Sequence, residues 1–242
     1  MGSTNHMRQF FDAELEDLKN RLLEMGGLVA SSVHRSVLAL TEMNEDVAHQ
    51  VLRDESRIDT MEIQIDDLAT KLIATQQPVA RDMRFIVVAI KINTELERMG
   101  DLAAAITERS LSAMHQPRFD GAIYRKMQEL ASVVEHMVLS VLDAFVKQDP
   151  EAARNIIVAD DSVDRLRTAL SDELVELMKR DTTIIPRALS LIFNARSLER
   201  ISDHATNIAE EVIFLSKGID VRHRFAAERA AEASATPEEA PR

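Results

Sequence analysis

Apolar residues recur along this chain at alternating steps of three and four, in six separate stretches. Leu15, Leu18, Leu22, Met25 and Val29 open the first, which continues through Val33, Val37 and Leu40. Ile58, Met61, Ile65, Leu68 and Leu72 form the second, and Leu96, Met99, Ala103 and Ile106 the third. Met127, Leu130, Val134, Met137 and Val141 mark the fourth. Val163, Leu166, Leu170, Leu174 and Leu177 mark the fifth, and Leu198, Ile201, Ala205, Ile208, Val212 and Leu215 the sixth. Such steps return side chains to one face of an α-helix, so each stretch predicts a helix with one core-facing stripe.

The breaks lie between the stripes. Asn44 is a natural cap for the second helix. Gln77-Pro78, Gln116-Pro117 and the segment from Asp181 to Pro186 interrupt the pattern. Asp149-Pro150-Glu151 combines a capping acid, a first-turn proline and an acid favoured by the helix dipole. Each helix should then run about 27–35 residues, roughly 40–50 Å, and long helices on short turns imply antiparallel packing.

The pattern also repeats. Leu96-Glu97-Arg98-Met99-Gly100-Asp101 matches Leu198-Glu199-Arg200-Ile201-Ser202-Asp203 at an offset of 102 residues. Ser36-Val37-Leu38 matches Ser140-Val141-Leu142 at 104, and Ile58-Asp59 matches Val163-Asp164 at 105. Three ordered matches with nearly constant spacing indicate internal duplication. The expected fold is all-α: two tandem homologous three-helix bundles, six long antiparallel helices in all. Residues 7–116 form the first repeat and 120–218 the second. Residues 1–6 (Met1 to His6) read as an expression-tag remnant, and 219–242 as a frayed or disordered tail.

Composition narrows the chemistry. The chain has no cysteine, so disulfides and thiolate metal sites are excluded. No apolar run approaches the roughly 18–20 residues of a membrane span, and no secretory signal opens the chain. A cytoplasmic protein is the expectation, touching a membrane only through partners. The formal charge of −12 disfavours nucleic acid. There is no Gly-rich phosphate loop, no nucleophile–base pair and no Glu-x-x-His motif, so an enzyme is not expected.

The acids carry a finer signal. An acid followed four residues later by Asp occurs six times: Glu42/Asp46, Glu55/Asp59, Glu62/Asp66, Glu97/Asp101, Asp160/Asp164 and Glu199/Asp203. Duplication filters them. Glu42 aligns with Val146 and Glu62 with Arg167, so those two pairs have no counterpart. The other four pairs match across the repeats, one on the second helix and one on the third of each. Residues four apart share a helix face, where like charges repel. Where neighbouring helices bring two such pairs together, the carboxylates favour a bound cation or a proton. Oxygen donors suit Mg, Mn, Ca or Fe, and Zn is compatible with carboxylates. Asp101 and Asp203 fall on the outward flank, which places the site on the bundle surface. The plainer alternative is a solvated acidic face with Arg98 and Arg200 as weak surface partners. In the second repeat the polar stripe continues through Asn207 and Glu211 as further candidate ligands; the first has Ala105 and Arg109 there.

These residues resemble the repeated signature of the PhoU family. Leu96-Glu-Arg-Met-Gly-Asp101, Leu198-Glu-Arg-Ile-Ser-Asp-His-Ala-Thr-Asn-Ile-Ala-Glu210, Met25-Gly26-Gly27 and Pro78-Val-Ala-Arg-Asp-Met-Arg84 carry the likeness. It spans roughly residues 7–218. The resemblance implies two three-helix bundles, a homodimer, no catalysis, and surface metal clusters in some members. Carried across, the ligands are Glu55, Asp59, Glu97 and Asp101, then Asp160, Asp164, Glu199 and Asp203. It further implies repression of the phosphate-starvation response. The chain would act as an adaptor between the ATPase subunit of a phosphate ABC transporter and a sensor histidine kinase. Alternatives are a metal-sensing bundle or an accessory protein of a low-affinity phosphate transporter. Ala104-Ala105 stands where the second repeat has Thr206-Asn207, a departure that favours the second site over the first.

Overall fold

The computed structural model describes residues 2–116, 118–119 and 121–218, with side chains from residue 9 onward. The expected tail therefore lies outside the described residues. These form six long helices: α1 (Gly2–Glu42), α2 (Glu45–Gln76), α3 (Ala80–Ser112), α4 (Gly121–Lys147), α5 (Pro150–Arg180) and α6 (Ile185–Lys217). A short 3-10 turn, Thr182–Ile184, leads into α6. α1 begins within the six residues read as a tag remnant.

The helix ends follow from local chemistry. Asn44 Oδ1 accepts a hydrogen bond from the Val47 amide at 3.2 Å and so caps α2. Asp149 Oδ1 accepts from the amides of Glu151 and Ala152 at 2.9 and 3.1 Å, with Pro150 as the first helical residue of α5. Both junctions use one device. Met43 (φ 59°) and Gln148 (φ 50°) adopt the left-handed conformation directly before the caps. The amides of Asn44 and Asp149 then return to the Ala39 and Ala144 carbonyls at 3.1 and 3.0 Å. These residues correspond at an offset of 105, so the duplication extends to the turns. Gly218, at φ 68°, closes α6 by donating to the Phe214 carbonyl at 2.8 Å.

Each helix turns its apolar stripe inward. α1, α2 and α3 pack on one another, as do α4, α5 and α6. The halves meet along α1 against α4 and α3 against α6. Contacts on the second seam join Lys91 to Glu211, Glu95 to His204 and Arg109 to Asn194, so α3 and α6 run antiparallel. One continuous core results, with Leu22, Met25, Ile65, Leu96, Met99, Met127, Leu198 and Ile208 fully buried. Burying a large aliphatic side chain contributes about 1.5–3 kcal/mol, which offsets the entropy of ordering these helices. α2 and α5 flank the core, and their inner flanks face α3 and α6 respectively. Those two clefts are where the duplicated acids lie.

Candidate metal centre

Close helix approach builds the first acidic cluster. Gly100 of α3 lies against Ile58 of α2, and a Cβ added to it would sit 3.0 Å from Ile58 Cδ1. Glu97 and Asp101 flank that contact on α3, while Glu55 and Asp59 flank it on α2. The backbones can approach because position 100 has no side chain. Carboxylate oxygens of Glu55, Asp59 and Asp101 consequently all lie within 4.8 Å of one another. Among the described residues this is the one group of three acids or histidines brought so close. Glu55 and Asp59 are half-buried and Asp101 is exposed, so the cluster opens to solvent.

Electrostatics extend the cluster beyond these three. Burial raises the Glu97 carboxyl above its ordinary value, and Asp101, Glu62 and Asp59 raise it further. Burial also lifts Glu55, together with the charges of Asp59 and Asp101. Asp101 is raised by burial and by Asp59, with a hydrogen bond from the Glu97 carboxyl partly opposing. Glu62 is raised by burial and then by Asp66, Asp59 and Asp101. Five carboxylates thus share one cleft, and each proton or cation they take relieves repulsion. The Glu62/Asp66 pair has no acidic counterpart in the second repeat, so duplication alone does not point to Glu62. Its position three residues after Asp59, on the same face, was the available signal.

Beside the cluster lies an open hollow of about 400 Å³, lined by Glu55, Asp101, Ala104, Ala105, Glu108, Arg98, Arg200 and His204. The alanines that counted against this site leave the space beside Asp101 open.

The second set is arranged differently. Burial raises Glu199; Arg167 lowers it, while Asp164 and Asp203 raise it, and Glu199 hydrogen-bonds to Asp164. Arg167 Nε lies 3.3 Å from Glu199 Oε2. Asp160 is buried on α5, whereas Asp164 and Asp203 are exposed. Ser202 and Val163 take the places of Gly100 and Ile58.

Asn207 and Glu211, expected as extra ligands here, face the first repeat instead. Asn207 Nδ2 donates to Glu95 Oε2 at 3.1 Å, and Lys91 Nζ donates to Glu211 Oε1 at 2.8 Å. Their stripe on α6 is the seam with α3, and the cleft with α5 lies on the other flank. Among the described residues, the tight convergence of carboxylates is in the first repeat.

A model of the PhoU domain matches residues 22–110 and 127–212, one match on each repeat. The chain belongs to the PhoU family. The PhoU homologue of Pseudomonas aeruginosa, a phosphate-specific transport system accessory protein, is 41% identical over 91% of this chain and 90% of its own. Escherichia coli PhoU, under the same description, is 34% identical over 90% of each chain. The crystal structure of P. aeruginosa PhoU superposes with a TM-score of 0.81 at 39% identity, covering 86% of this chain and all of that one. PhoU from Streptococcus pneumoniae, a phosphate transport system regulatory protein, gives 0.80 at 27% identity over 87% of this chain and 99% of its own. The two tandem repeats expected from the sequence are thus the PhoU architecture.

Proposed function

We propose that this chain is a PhoU-type regulator of phosphate uptake that represses the phosphate-starvation response without catalysing a reaction. In this reading it works by contact, linking the ATPase subunit of a phosphate ABC transporter to a sensor histidine kinase. It acts in the cytoplasm as a homodimer. The observation that carries the reading is the PhoU match to both repeats, joined to near end-to-end similarity with accessory proteins of phosphate transport.

The carboxylate cluster adds a cation site to this regulator. Its converging donors are oxygens only, which fits hard ions such as Mg²⁺, Mn²⁺, Ca²⁺ or Fe³⁺ and also accepts Zn²⁺. Glu55, Asp59 and Asp101 would hold the ion, with Glu62 and Glu97 adding negative charge. A bound cation would supply neutralisation, changing the face that α2 and α3 offer to partners.

The test is complementation. In a bacterium lacking its own PhoU and carrying a starvation-responsive phosphatase reporter, this chain should restore repression in high phosphate. Purified chain should also capture the transporter ATPase or the kinase cytoplasmic region. A derepressed reporter with no capture of either partner would overturn the assignment.

A further inference from the structure

The two acidic clefts are copies of one ancestral site, so position-by-position differences between them are informative. At an offset of 105, Glu55, Asp59 and Glu62 of α2 correspond to Asp160, Asp164 and Arg167 of α5. At 102, Glu97 and Asp101 of α3 correspond to Glu199 and Asp203 of α6. Four acidic positions are acidic in both copies. The fifth is reversed in sign, carboxylate in the first cleft and guanidinium in the second.

Glu62 stands three residues after Asp59 on α2 and Arg167 three residues after Asp164 on α5, each on the helix face of its own acidic pair. Glu62 lies within the field of Asp59, Asp101 and Glu97. Arg167 is paired with Glu199 at 3.3 Å, and its Nε is shielded from solvent without a hydrogen-bond partner among the described residues. That arrangement is an ion pair held at the cleft. The first cleft has gathered three donors within 4.8 Å; the second presents no comparable trio among the described residues.

We propose that Arg167 is the resident cation of the second cleft, so that the chain recruits a metal ion only at the α2–α3 cluster. This rests on reading the carboxylate cluster as a cation site. A guanidinium is permanently charged and donates to carboxylates, which makes it a covalently tethered substitute for a metal ion. For a metal to enter the second cleft, Arg167 must leave Glu199 and place its charge elsewhere. Removing Glu62's counterpart also removes one acid from the ligand field. Both effects weaken metal binding there; in the first cleft position 62 is an acid, and the nearby Arg98 approaches Glu95, outside the cluster, at 3.7 Å. Glu62 and Arg167 are the pair of positions that decides which repeat takes the ion.

Mn²⁺ titration of full-length, chelator-treated protein tests this, with free Mn²⁺ followed by electron paramagnetic resonance. Wild type should show one class of sites per chain. Arg167→Glu should add a second class, and Arg167→Gln a weaker one. Glu62→Arg should weaken the original class at least tenfold. Circular dichroism and thermal unfolding in chelator show that each variant is folded, and Mn²⁺ should raise the midpoint of Arg167→Glu more than that of wild type. Two equal classes in wild type, unchanged in Arg167→Gln and Arg167→Glu, would overturn the role of Arg167 while leaving the cation reading intact. No Mn²⁺ bound by wild type or by any variant would overturn the cation reading itself.

Discussion

His204 Nδ1 lies 2.6 Å from Glu95 Oε2, and this contact ties α6 of the second repeat to α3 of the first. Asn207 donates to the same oxygen, and Arg98 approaches the other Glu95 oxygen at 3.7 Å. Glu95 and His204 are both largely shielded, with side chains 16% and 13% exposed. Charge-assisted hydrogen bonds in such surroundings are among the stronger polar contacts in a protein.

Burial alone would raise the Glu95 carboxyl, yet the hydrogen bonds from His204 and Asn207, with the electrostatic pull of His204 and Arg98, together hold it below its ordinary value of 4.5. A depressed carboxyl contributes stability above the unfolded value and loses it as pH falls through the folded one. Glu95→Gln should therefore cost about 1–3 kcal/mol at neutral pH. That is a fall of roughly 2–4 °C in melting temperature for each kcal/mol in a chain of this size. The deficit should shrink in acid, below pH 4. Equal deficits at pH 7 and pH 3.5 would contradict this assignment.

Gly26 and Gly27 are adjacent in α1 and should respond oppositely to alanine. A Cβ on Gly26 would come within 2.2 Å of Leu142 Cδ1 on α4, whereas nothing lies within 4 Å of one on Gly27. The two repeats thus approach closely at Gly26. Gly27→Ala should stabilise by about 0.5–1 kcal/mol through helix propensity alone. Gly26→Ala gains the same propensity but must displace buried Leu142, and overpacking costs about 1–3 kcal/mol. Denaturant midpoints should rise for the first variant and fall for the second. A rise for both would show that Leu142 yields freely.

This pair of glycines marks the boundary of what the sequence made legible. The six stripes predicted the helices because a periodic apolar face must be buried. Asn44 and Asp149 predicted two starts because their oxygens satisfy otherwise orphaned amides. A stripe does not say which flank of a helix meets which neighbour. Asn207 and Glu211 consequently read as continuations of the acidic face, although their flank is the seam with α3. Glu62 failed the duplication filter for the opposite reason. Its counterpart Arg167 had changed sign, so the filter discarded a residue that the first cleft includes. Glu95 and His204 are 109 residues apart, and no local spacing connects them.

Arg187 is buried, 1% exposed, and its hydrogen bonds among the described residues go to uncharged groups. Its guanidinium donates to the Ala113 carbonyl at the end of α3, to Met43 Sδ at 3.2 Å after α1, and to Tyr124 Oη at 3.1 Å on α4. Helix C-termini carry partial negative charge, and the Ala113 carbonyl brings that of α3 to the guanidinium. Arg187→Ala should lose about 3–5 kcal/mol, because it leaves a cavity and unpaired groups. Arg187→Met keeps most of the volume and should lose far less. Urea unfolding of both variants decides the point, and equal losses would mean that the hydrogen bonds matter more than the filling.

The acid cluster should give the pH response opposite to that of Glu95. Glu55, Glu62, Glu97 and Asp101 are all raised above ordinary carboxyl values of 4.5 for Glu and 3.8 for Asp, with burial the largest cause. The folded chain therefore binds protons more tightly than the unfolded chain. Stability falls as pH rises from those ordinary values through the raised ones. Glu62→Gln removes one repelling charge and should stabilise the metal-free protein by a few tenths of a kcal/mol at pH 7.5, about 1 °C, with no gain below pH 4. A cation that binds the folded state does the same work from outside, raising the midpoint with the logarithm of its concentration. Mn²⁺ should therefore raise the melting temperature of wild type more than that of Glu62→Gln at pH 7.5, and of neither at pH 4. A Glu62→Gln protein less stable than wild type in chelator at pH 7.5 would mean that Glu62 is satisfied by attraction, and the five-carboxylate cluster would not be under repulsion.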